Sequence, residues 1–107
     1  MSKVVLCVRF RTKPGQKEVF RKHLYRAINA MKEEKAFVNT IVHDFIDEPN
    51  DLLLYEIWHG TRDSWMREEF TRPYRQPYES IVTELIEERT VNWLTPVGEW
   101  GSTLLNE

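Results

Sequence analysis

The sequence has one cysteine, Cys7, so it can form neither an internal disulfide nor a cysteine-based metal site. That scarcity fits a reducing compartment, and the cytoplasm is the expected location. Cys7 stands within the apolar run Val4-Val5-Leu6-Cys7-Val8, where a lone thiol is either a small buried hydrophobe or a reactive group. Glycine is scarce as well. Gly15, Gly60, Gly98 and Gly101 stand apart, which leaves no glycine-rich loop to cradle a phosphate. No charge of one sign dominates: 15 Lys and Arg stand against 17 Asp and Glu, for a net charge of −2. The charges are interspersed, so there is no basic field for nucleic acid. No apolar run approaches the length of a membrane span. The first one is broken by Arg9 and Arg11 and does not resemble a secretory signal. The three histidines, His23, His43 and His59, are not paired at metal-ligand spacing on a helix, and no metal site is expected. Neither Ser64 nor Ser80 has the elbow context of a nucleophile.

Aromatic side chains are plentiful. Four Trp, four Tyr and five Phe in 107 residues must line a core, a pocket or an interface. The length suits one domain spanning residues 1–107.

Residues 3–12 alternate Val4, Leu6, Val8 and Phe10 against Val5, Cys7, Arg9 and Arg11, the period of a strand. After Pro14-Gly15 the period changes. Phe20, Leu24, Ala27, Ile28 and Met31 recur at helical spacing and predict an amphipathic helix over 15–34. Residues 37–46 are β-branched and aromatic and read as a second strand. The turn cluster 47–51 joins it in a hairpin to a third, 52–59. Gly60 stops that strand, and Thr61 or Asp63 can cap a short helix holding Trp65. Pro73 and Pro77 lead into a second long helix whose buried stripe is Tyr78, Ile81, Val82, Leu85 and Ile86. A fourth strand is expected over 90–94, with an aromatic tail from about 96 to 107. The order β-α-β-β-α-β predicts an α+β, ferredoxin-like antiparallel sheet with both long helices on one face.

Strict alternation along the second strand puts Phe37, Asn39, Ile41, His43 and Phe45 on one face and Val38, Val42 and Ile46 on the other. Both faces thus carry apolar residues, yet the helices cover one only. A partner subunit packed sheet to sheet is the natural cover, and a homodimer is expected. The alternative is partial cover by the tail.

Several residues together resemble the antibiotic biosynthesis monooxygenase family. They are Asp47-Glu48-Pro49 in the hairpin, Leu54-Tyr55-Glu56-Ile57-Trp58 in the third strand, and Phe70-Thr71-Arg72-Pro73-Tyr74 after it. The element order extends the resemblance over nearly the whole chain. It implies a dimeric α/β barrel with a cavity between sheet and helices. Members of that family include enzymes that oxidise phenolic or quinol-like aromatics with dioxygen, without metal, flavin or other cofactor. Others degrade haem, process small signalling molecules or act non-oxidatively. The segment around Glu68, Glu69 and Pro73 holds no histidine, which speaks against haem degradation.

Cofactor-free oxygenation needs a base, a pocket that stabilises an anion, and exclusion of water. His43 and Asn39 form a polar pair on a mostly apolar strand face. They are candidates for base and pocket lining, His43 having a structural role as its alternative. Glu56 shares a face with Trp58. It is either a base with a raised pKa or a partner of Arg9 or Arg11. Trp65, Tyr74 and Tyr78 lie in the segment that the resemblance makes a lid, where they contact a ligand or pack helices together. Trp93 and Trp100 suit a dimer seam. The expectation is therefore a cofactor-independent monooxygenase-like enzyme acting on a small aromatic substrate. The alternative is a non-oxidative binding protein or isomerase using the same cavity.

Overall fold

The alternation along residues 3–12 decides which way the first strand faces. In the computed structural model, which describes residues 2–101, β1 (Lys3–Thr12) sends Val4, Leu6, Val8 and Phe10 into the core. It is followed by α1 (Lys17–Met31), β2 (Phe37–Asp44), β3 (Asp51–His59), α2 (Arg62–Glu68), α3 (Arg75–Leu85) and β4 (Ile86–Leu94). The sheet is antiparallel throughout, in the order β2-β3-β1-β4. This is the α+β, ferredoxin-like arrangement expected from the sequence.

Phe20, Leu24, Ala27 and Met31 form the buried stripe of α1, and they join Tyr78 and Val82 of α3 over one sheet face. The sheet contributes the even-numbered residues of β1 together with Leu52, Leu54 and Trp58 of β3. Phe10 and Phe20 meet at 4.8 Å between ring centroids. Among the described residues no helix is long and apolar enough to cross a membrane.

Three expectations need correction. The register between β2 and β3 shifts after Phe37: Phe37 opposes Trp58, but Asn39 already opposes Ile57. One extra residue in a bulge reverses the facing of everything beyond it. Phe37 thus turns to the helix side, edge-on to Trp58 at 5.3 Å, while Asn39, Ile41 and His43 turn away.

The second correction concerns the last helix, which ends at Leu85. Ile86 is extended (φ −114°, ψ 152°) and begins β4 at once. By its spacing Ile86 reads as the end of a helical stripe, with the strand expected only from Thr90. Pairing with β1 from Thr12 onwards overrides that local pattern.

The third correction concerns Arg9 and Arg11, which do not reach Glu56. They lie on the opposite sheet face and converge on Asp51, with contacts of 2.6 Å and 3.1 Å. Hydrogen bonding from Arg11, then Arg9, holds the Asp51 carboxyl below its ordinary range against the opposing effect of burial. The expected tail over 96–107 is described only to Gly101; residues 102–107 lie outside the described residues.

Candidate functional site

Between the helix-facing side of the sheet and the pair α2–α3 lies a cavity of about 300 Å³, at the small end of ligand sites. Its floor is apolar, formed by Leu6 and Val8 of β1, Leu54 of β3 and Val91 of β4. Helix α2 hangs Trp65 over it. The helix starts there because Gly60, at φ +109°, turns the chain out of β3. Thr61 then caps the new helix: its hydroxyl accepts from the Ser64 N–H at 3.1 Å, and the Ser64 hydroxyl accepts from the Thr61 N–H at 2.9 Å. Trp65 packs edge-on against Trp93 at 5.3 Å and against Trp58 at 6.2 Å. Phe70 completes that side at 6.0 Å.

The polar groups of the cavity are few. Glu56 opposes Leu6 in the sheet register and therefore points toward the helices. It is 2% exposed, and its Oε1 accepts from the Trp58 indole N–H at 2.8 Å. Burial pushes its pKa up, while the Trp58 hydrogen bond and the positive charge of Arg75 pull the other way. Arg75 opens α3 and is buried, its guanidinium carbon 4.8 Å from the centroid of the Trp65 ring. Tyr78, one turn further along α3, is also buried, and desolvation raises its hydroxyl's pKa. At the cavity margin Glu79 and Arg89 form an ion pair at 2.9 Å.

The sequence candidates thus divide. Glu56, Trp65 and Tyr78 line one cavity. Trp58 is fully buried and meets the cavity lining through Glu56 and Trp65. Tyr74 faces elsewhere: its hydroxyl donates to Glu34 Oε2 at 3.0 Å. Burial, with Glu34 second, pushes its pKa up to about 12. It borders a second hollow, against His23 and Ala27 of α1. Asn39 and His43 sit on the far side of the sheet because of the β2 bulge, and His43 is exposed with Nδ1 3.3 Å from the Leu53 carbonyl oxygen. The chain's own fold does not bring these two to the cavity.

No family model matches the sequence, and no curated protein matches it either. Solved structures do match. Rv0793 from Mycobacterium tuberculosis superposes with a TM-score of 0.82 at 23% identity, covering 94% of this chain and 100% of that one. SnoaB, a cofactor-independent oxygenase from Streptomyces nogalater, gives 0.82 at 17% identity over 95% and 100% of the two chains. A candidate antibiotic biosynthesis monooxygenase from Chloroflexus aurantiacus gives 0.76 at 20% identity over 94% and 98%. The chain has the antibiotic biosynthesis monooxygenase fold. At these identities fold is what is shared, and the site must be argued from its own residues.

Within this monooxygenase fold, sequence reasoning passed over Arg75, Met66, Phe70 and Arg89 as cavity residues and assigned Trp93 to a dimer seam; all five border the cavity. One of them had a signal. Arg75 stands in line with Tyr78 and Val82 at spacings of three and four, so an arginine occupies the buried stripe of α3. Trp93 opposes Leu6 in the sheet, which turns it into the cavity and away from the open face where a dimer seam would lie. Its facing depended on where β4 pairs with β1.

Proposed function

We propose that this protein is a cofactor-independent, monooxygenase-like enzyme that oxidises a small phenolic or quinol-like aromatic with dioxygen. The observation that carries this reading is Glu56, a buried carboxyl with a raised pKa in a cavity otherwise walled by aromatic and aliphatic side chains. A carboxylate in such a setting is a stronger base than one in water and can accept a phenolic proton. The phenolate then gives one electron to dioxygen, and recombination of the radical pair forms a bond between ring carbon and oxygen. Return of the proton from Glu56 yields a hydroperoxide. Loss of water from it, with departure of the ring C–H proton, leaves a new carbonyl. One oxygen atom stays in the product, the other leaves as water, and the substrate supplies all the electrons. Trp65, Phe70 and Trp93 form the wall against which a planar ring can stack, and their bulk excludes water. The fold shared with SnoaB, itself a cofactor-independent oxygenase, supports the assignment.

The reading extends to a homodimer. The side of the sheet away from the helices leaves Ile41 and Leu94 nearly half exposed, and a second copy is the cover we propose for it.

Dioxygen consumption by the purified, metal-free protein against a panel of hydroquinones tests the function. Saturable uptake that falls by about two orders of magnitude in Glu56→Gln is the expected result. If no hydroquinone accelerates uptake above background, the oxygenase reading fails, and a non-oxidative binding protein or isomerase takes its place.

A further inference from the structure

Two side chains of the cavity lining, Arg75 and Trp65, carry donors without an acceptor. Arg75 is 7% exposed and Trp65 is 6% exposed. Nε and Nη2 of Arg75 and Nε1 of Trp65 are buried and make no hydrogen bond among the described residues. A buried guanidinium stays charged at any ordinary pH, and leaving its donors unsatisfied is costly. No carboxylate among the described residues hydrogen-bonds these three atoms. Glu56 Oε1 accepts from Trp58 at 2.8 Å, and Glu79 is held by Arg89 at 2.9 Å. Asp51, which gathers two arginines, is on the other side of the sheet. The unpaired atoms Nε and Nη2 form the side edge of the guanidinium, the pair that meets both oxygens of a carboxylate in a bidentate bond.

We propose that Arg75 and Trp65 form an anion subsite in this cavity and that the natural ligand is an aromatic carboxylate. Its carboxylate bridges Nε and Nη2 of Arg75, and one of its oxygens also accepts from the Trp65 indole N–H. The ring lies among Trp65, Phe70 and Trp93. Resting on the oxygenase reading, the same geometry makes the substrate a phenolic acid, held by its carboxylate at Arg75 with its hydroxyl turned to Glu56.

The probes are 2-naphthoate and 2-naphthamide, which share shape but differ in charge, titrated calorimetrically into the full chain. We expect the naphthoate to bind roughly tenfold or more tightly than the amide. Arg75→Gln removes that preference by weakening naphthoate binding far more than amide binding, while Arg75→Lys keeps the charge without the fork and retains only part of it. A structural arginine predicts that Arg75→Gln lowers the melting temperature of the empty protein; an unpaired ligand-binding one predicts that it is level or raised. Equal binding of the two probes, binding of neither at about millimolar concentration, or an Arg75→Gln variant that loses both alike overturns the proposal. The two readings fail separately. Naphthoate binding with no oxygen uptake on either hydroquinones or phenolic acids removes the oxygenase and leaves the anion site. Uptake that neither naphthoate nor Arg75→Gln disturbs removes the anion site and leaves the oxygenase.

Discussion

A carboxyl that is 2% exposed with one indole N–H as its hydrogen-bond partner ties stability to pH in a definite direction. Its pKa in the folded chain lies above the ordinary value of 4.5, so the folded state holds the proton more tightly than the unfolded state does. The stability this lends is complete below the unfolded value and drains away as pH rises through the folded one. Glu56→Gln has no such proton to lose. The variant should match the wild type in melting temperature near about pH 4 and exceed it by about pH 8, because the wild type alone declines. A difference that stays constant across that range would show that Glu56 does not titrate with folding. Glu56 was legible as a candidate because alternation along a strand pairs it with Trp58. Arg75 had its spacing from Tyr78 and Val82 as a signal, but its burial was decided only by the packing of α3 against the sheet.

At the scale of elements, the junction between β3 and α2 places Trp65 over the cavity, and a reciprocal cap holds it there. Thr61→Ala removes the hydroxyl that accepts from Ser64 and should cost about 1 kcal/mol by chemical denaturation. Because α2 is only seven residues long, it draws little stability from its own hydrogen bonds. The loss should therefore also appear as altered Trp65 fluorescence below the global transition; a pure shift of the midpoint would mean that α2 is held by packing alone. A cap was readable after Gly60, at Thr61 or Asp63, and the structure puts it at Thr61. The start of β4 was not, since Glu87-Glu88-Arg89-Thr90 has no apolar alternation and becomes strand only through pairing with β1.

For the molecule as a whole, the helices cover one side of the sheet, the other leaves Ile41 and Leu94 nearly half exposed while Val5 and Ile57 are buried, and the tryptophan near the edge belongs to the helix side. Two variants separate these roles. Ile41→Asp, on the side away from the helices, should shift the proposed dimer to monomer in sedimentation. Trp93→Ala should leave sedimentation unchanged and enlarge the cavity, weakening ring binding. The reverse pattern would place Trp93 in the seam after all.

The order of elements, the α+β class and the helix-facing side of β1 follow from the sequence by itself, because two periods, near two and near 3.6, survive in its apolar residues. The resemblance carried by Leu54 to Trp58 pointed to the monooxygenase fold that the superpositions then showed. Which side chains meet in the cavity was decided only by tertiary structure. One extra residue in β2 carried Asn39 and His43 to the far side, and the register of β4 brought Trp93 and Arg89 to the near one. The packing of α3 buried a charge. Facing and register are relations between strands distant in the chain, and no local period records them.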